Sequence, residues 1–102
     1  MGIMTRGITF QFTGQLAGAA GRSEVVLDGL SEGSSLIEAL SRLAEGAADP
    51  EMFRALVFRP DGRVRSTLLV VFDGVQAPGD KDAMLLGADV RNVMLMTPIA
   101  GG

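Results

Sequence analysis

The chain contains no cysteine, no histidine, no tryptophan and no tyrosine. Without cysteine there is no disulfide, no thiolate nucleophile and no cysteine-based zinc site. Without histidine, the commonest metal ligand and the usual general base near neutral pH are both missing. The two absences argue against a self-contained hydrolase or metalloenzyme. A chain that holds no metal and is not an enzyme on its own is therefore expected. Aromatic residues are limited to five phenylalanines, a poor set for stacking on bases. Basic residues are the minority charge, 9 against 12 acidic, for a net charge of −3. Nucleic-acid binding relies on clustered Lys and Arg, so this balance argues against it. No apolar run approaches the roughly 20 residues that a membrane span needs. No basic segment leads into an apolar one, so no signal peptide is read. The opening Met1-Gly2-Ile3-Met4-Thr5-Arg6 fails as a myristoylation signal, because Arg6 stands where Ser or Thr is required. These absences lead to the expectation of a cytoplasmic protein with neither membrane nor nucleic acid as partner.

Apolar residues make up 47% of the 102 positions, enough to build a core without staples. The length argues for a single domain over residues 1–102. Ile8, Thr9, Phe10, Gln11 and Phe12 alternate apolar and polar, the period of a half-buried strand. A second strand is read at residues 23–27, Ser-Glu-Val-Val-Leu. Residues 14–21 between them are Gly- and Ala-rich and read as a wide hairpin loop. The glycines there could cradle a phosphate. However, no Gly-Lys-Ser/Thr follows and a strand comes next, which argues against a nucleotide site.

Ser35 and Glu38 have the spacing of a capping box. Leu36, Ile37, Leu40, Leu43 and Ala44 then form one apolar stripe of a helix, with Gly46 as its stop. Residues 51–58 are ambiguous between a short helix and an extended stretch. Leu68, Leu69, Val70, Val71 and Phe72 are continuously apolar and read as a strand buried on both sides or nearly so. Asp73-Gly74 turns the chain tightly, as in a hairpin. A short helical turn is expected at residues 82–85 and a last strand at residues 90–96. Two opening strands, one main helix and further strands fit an α+β layer fold. If the first and last strands pair in parallel, the arrangement is a β-grasp: a mixed sheet of about four to five strands with the helix on one face.

After the last strand come Thr97, Pro98, Ile99, Ala100, Gly101 and Gly102. Pro98 stiffens the base of this arm and biases Thr97 towards extended geometry. The two glycines lack Cβ atoms and so can enter a channel too narrow for other residues. Residues 98–102, fully extended, reach about 16 Å at about 3.3 Å each. The Gly102 α-carboxylate at the tip is the candidate working group, delivered into another protein's active site.

The quoted residues carry a family resemblance. Leu69-Val70-Val71-Phe72-Asp73-Gly74, then Leu86-Gly87-Ala88-Asp89-Val90, then Met94-Leu95-Met96-Thr97-Pro98-Ile99-Ala100-Gly101-Gly102 strongly resemble the MoaD/ThiS sulfur-carrier proteins, which are ubiquitin-like β-grasp domains. Asp73 replaces the usual Asn, Ala88 is an insertion and Thr97 stands where a proline is often found. The resemblance implies that a ubiquitin-activating-type enzyme, using ATP and magnesium, adenylates Gly102. A sulfurtransferase or other sulfur donor would then leave a thiocarboxylate there. A biosynthetic acceptor enzyme, of molybdopterin, thiamine or cysteine type, would take the sulfur. The chain would then be a sulfur-donating carrier or the small subunit of a synthase. The resemblance also implies an alternative, a modifier joined to lysines through Gly102; a third reading, from another class, is a non-catalytic β-grasp interaction module with an inert tail.

A docking face is argued from alternation. Val93 and Leu95 share one side of the last strand, and Met94 and Met96 the other. If the helix covers the first pair, the methionines lie outside beside the tail as an adaptable apolar surface. Phe58 and one face of the 68–72 strand would join them. The alternative is that the 51–58 segment covers the methionines as ordinary core. Arg54, Arg59, Arg63 and Arg65 form a loose basic cluster that either meets an acidic partner or simply solvates a surface.

Overall fold

The computed structural model describes residues 6–30, 33–77, 80–87 and 89–97. The first strand, β1 (Arg6–Phe12), runs antiparallel to β2 (Glu24–Leu30), with Phe10 opposite Val25 and Ile8 opposite Leu27. The register slips between Arg6 and Ile8. Gly29 sits within the slip at φ 80°, a left-handed conformation that glycine takes without a Cβ clash.

The connection between these strands is a helix, not the expected loop. Helix α1 spans Gly14–Ala20 and buries Leu16, Ala19 and Ala20. That is the i, i+3, i+4 spacing of a helix face. Glycine at two of its seven positions weakens the local signal, so tertiary burial stabilises it. Gly21 ends the helix at φ 81°, its N–H donating to the Ala17 and Gly18 carbonyls at 2.9 and 3.2 Å. A Cβ at Gly21 would sit 2.7 Å from the Ala48 Cβ. The Asp49 N–H reaches the Ala19 carbonyl at 2.9 Å, so the end of α1 is docked on the start of the third helix.

Helix α2 (Leu36–Glu45) follows the capping box: the Ser35 Oγ accepts from the Glu38 N–H at 3.0 Å. It buries Leu36, Ala39, Leu40, Leu43 and Ala44. The ambiguous segment is helix α3 (Pro50–Val57). Asp49 accepts from the Met52 N–H at 3.1 Å, and Pro50 occupies the first turn, where its missing N–H costs nothing. Phe53 and Val57 are its buried pair, and the Phe53 ring meets Phe12 edge-on at 5.7 Å.

Strand β3 (Leu69–Phe72) turns through Asp73 (φ 49°) and Gly74 (φ 87°) into β4 (Val75–Gln76). Two positive φ values are the signature of a type I′ hairpin turn. A single 3-10 turn at Lys81–Ala83 precedes β5 (Asn92–Met96). The sheet order is β2-β1-β5-β3-β4, with β5 parallel to β1 and antiparallel to β3. The last strand thus lies in mid-sheet, and its parallel pairing with the first meets the condition for a β-grasp. One core unites Ile8, Phe10, Val70, Val93 and Leu95 with the buried faces of all three helices. The helices thus cover a single face of the sheet. This corrects the two-sided burial expected of the third strand: Val70 is buried, whereas Leu69 and Val71 are half-buried on the far side.

Candidate functional site at the end of the central strand

The last strand occupies the centre of the sheet, so its backbone is paired with β1 through Leu95 and with β3 through Met96. That pairing gives the arm beginning at Thr97 a rigid root. The strand also sorts its side chains by face. Val93 and Leu95 are fully buried against the helical layer, while Asn92, Met94 and Met96 are half-buried on the opposite face. Cross-strand register places Gln11, Met94, Val71 and Gln76 in one row, and Met96 beside Leu69. Met94, Met96, Leu69 and Val71 stand outside the cluster that joins sheet and helices. They form an apolar strip on the open face, flanked by glutamines. The 51–58 segment does not cover it, because α3 packs on α1 and α2.

Phe58 does not belong to this strip. It caps α3, bridges to Val64 and lines a concavity with Ile37 and Ser41 of α2. Its ring follows the helix that it terminates, and that helix lies in the layer on the other side of the sheet. Arg54, Arg59 and Arg65 line the same concavity; Arg63 lines a neighbouring one with Lys81, Asp80 and Asp82. Pro98, Ile99, Ala100, Gly101 and Gly102 lie outside the described residues.

The residue that pins the start of β5 is Asp73. Its Oδ1 accepts from the backbone N–H groups of Arg91 and Asn92 at 3.2 and 2.9 Å. Its own N–H donates to the Asn92 carbonyl at 2.9 Å. The hairpin corner is thereby tied to the strand that carries the arm. From sequence, Asp73 reads as a turn residue alone. The second role depends on a partner 19 positions away, and no local pattern announces it. Leu69 and Val71 are expected from sequence only as one unspecified face of a uniformly apolar run. Among the described residues no cluster of acidic side chains could hold a metal ion. No helix among them is long and apolar enough to cross a membrane.

Known structures share this layout. SAMP1 from Haloferax volcanii superimposes with a TM-score of 0.75 over 95% of this chain and 100% of its own, at 21% identity. A protein described as a candidate molybdopterin converting factor subunit 1, from Pyrococcus furiosus, gives a TM-score of 0.63 over 91% of this chain and 98% of its own, at 16% identity. Urm1 from Sulfolobus solfataricus gives 0.56 over 88% and 99%, at 13% identity. The fold is the ubiquitin-like β-grasp. At these identities the likeness to SAMP1, Urm1 and the converting factor subunit is one of fold, and it extends over nearly the whole β-grasp chain. No protein-family model matches the sequence, and no curated protein sequence does.

Proposed function

We propose that this β-grasp chain is a sulfur carrier whose Gly102 carboxylate is activated by a separate ubiquitin-activating-type enzyme. The observation that carries the reading is the pairing of a slim Pro98-Ile99-Ala100-Gly101-Gly102 arm with a root on the central strand, beside an apolar strip of Met94, Met96, Leu69 and Val71. A carboxylate is a poor acyl donor, because its leaving group would be oxide. Attack of the Gly102 carboxylate on the α-phosphorus of ATP, with magnesium on the phosphates, would release pyrophosphate and install AMP as leaving group. Hydrosulfide attacking the carbonyl carbon would expel AMP and leave a thiocarboxylate; a persulfide on a sulfurtransferase would first give an acyl disulfide, which a thiol reductant would cleave to the thiocarboxylate. All these steps are housed on partners: the adenylating enzyme, a sulfurtransferase or other donor, and a biosynthetic acceptor in the cytoplasm. The acceptor class would be of molybdopterin, thiamine or cysteine type. This chain supplies an acyl group that can be reached and a face that can be docked. The division of labour accounts for sulfur chemistry in a protein without cysteine or histidine.

A second reading is supported by two structural neighbours, from Haloferax volcanii and Methanosarcina acetivorans, each named small archaeal modifier protein 1. In that reading Gly102 ends in an isopeptide bond to a lysine of a target protein. Intact-mass analysis after incubation with the adenylating enzyme, ATP, magnesium and a sulfide source separates the two. Exchange of one oxygen for sulfur at Gly102 is expected of the carrier, and lysine-linked adducts in extracts of the modifier. An unchanged mass, with function surviving deletion of Gly101 and Gly102, would leave an inert interaction module instead. One residue added after Gly102 is expected to abolish adenylation with no change in thermal stability, because the carboxylate is displaced from the partner's active site.

A further inference from the structure

The helical side of the molecule carries a second surface that the chemistry of the arm does not use. It is a groove with a cavity volume of about 510 Å³, bounded by Ile37 and Ser41 on α2, Arg54 and Ala55 on α3, and the loop that follows. Ile37 and Ser41 are one helical turn apart, so one face of α2 forms a wall. The loop wall is held in shape. The Arg59 N–H donates to the Arg63 carbonyl at 2.7 Å, and the Asp61 carboxylate accepts from the Arg63 N–H at 3.1 Å. The Arg65 Nε–H donates to the Ala55 carbonyl at 2.7 Å, fastening the loop to α3. Ile37, Ala55, Phe58 and Pro60 make much of the lining apolar.

Charge decides the occupant. Three of the chain's 9 basic residues, Arg54, Arg59 and Arg65, line the groove, and no Asp or Glu among the described residues does. Asp61 offsets Arg59 through a pair at 3.5 Å; Arg54 makes no ion pair among the described residues. A concentration of guanidinium groups around an apolar floor, on a protein of net charge −3, selects a ligand with carboxylates around an apolar side chain. A bare phosphate would leave the apolar floor of Ile37, Ala55, Phe58 and Pro60 uncovered, whereas an apolar side chain of a peptide fills it.

We propose that this groove docks an acidic peptide segment of a partner protein, with a leucine or phenylalanine seated over Ile37 and Phe58 and carboxylates on Arg54, Arg59 and Arg65. The surface lies across the sheet from the Met94–Met96 strip. Both can therefore be engaged at once, and a partner can hold the body while the arm is delivered elsewhere.

The test uses the full isotope-labelled chain titrated with a short peptide in which leucine is flanked by glutamates. Saturable amide shifts are expected at Ile37, Ser41, Ala55 and Gly62, and not at Val71, Met94 or Met96. Raising the salt concentration weakens binding. Arg54→Glu lowers affinity about tenfold, as reversal of a charge facing a carboxylate should. Arg59→Glu, in the loop rather than on a helix, is expected to act in the same direction and guards against a folding defect in the first variant. Absence of shifts, or equal binding by a peptide with serine for leucine, overturns the proposal. Shifts at the same amides from a short RNA but not from the peptide overturn it in favour of nucleic acid. None of these readouts involves Gly102, so the result stands apart from the fate of the carrier reading.

Discussion

The two faces of β5 have the same kind of side chain and opposite surroundings. Val93 and Leu95 are sealed at 0% exposure beneath the helical layer; Met94 and Met96, one residue away, are half-buried on a face that none of the described helices covers. Both pairs are apolar, so hydrophobicity alone does not distinguish them. The difference comes from the strand's two-residue period combined with a helical layer on one side only. The inner pair serves stability. The outer pair leaves a flexible, polarizable surface at the root of the arm, the docking face of the proposed carrier. A strand in mid-sheet lets one segment do both.

That contrast can be broken by substitution. The largest loss of stability is expected for Leu95→Ala, which removes a fully buried side chain from the centre of the core. Chemical denaturation is expected to show a loss of about 2–5 kcal/mol. A loss no greater than that of an outer-face variant would erase the distinction. Next comes Met96→Asp. Here kcat/KM for adenylation is expected to fall about tenfold, equivalent to about 1.4 kcal/mol, with a smaller change in thermal midpoint. A collapse in stability instead would make Met96 a core residue. The smallest effect is expected for Asp73→Ala, which leaves the N–H groups of Arg91 and Asn92 to water at an exposed corner. Denaturation is expected to register about 1 kcal/mol, and Asp73→Asn to recover most of it by restoring an oxygen acceptor. If neither Ala nor Asn lowers stability, the Asp73 side chain is not what holds the strand.

The elements legible from sequence are those encoded within a few residues. Ser35 and Glu38 announce α2 because a cap is made with a partner three positions on. Asp73-Gly74 announces its turn because both residues tolerate positive φ. Helix α1 is hidden: its buried face is one leucine and two alanines, and its glycines imitate a loop. For Leu69–Phe72 a run of four apolar residues carries no alternation, so sequence does not separate Leu69 and Val71 on the far face from Val70 and Phe72 on the core face. Phe58 is expected on the wrong side of the sheet for a related reason. Its surroundings depend on where α3 packs, and residues 51–58 are ambiguous between helix and strand.

Composition and short-range pattern thus settle several points without reference to the fold. They exclude thiol and imidazole chemistry, set the order of most elements, place the cap of α2 and single out the Gly-Gly arm. Other points emerge from packing. These are the closure of β5 against β1, the choice of which face stays open, the Asp73 clasp on Arg91 and Asn92, and the gathering of Arg54, Arg59 and Arg65 around Ile37 and Phe58. The physical division is one of range. Caps and turns are satisfied by neighbours along the chain, whereas faces and grooves exist only once distant segments exclude water together.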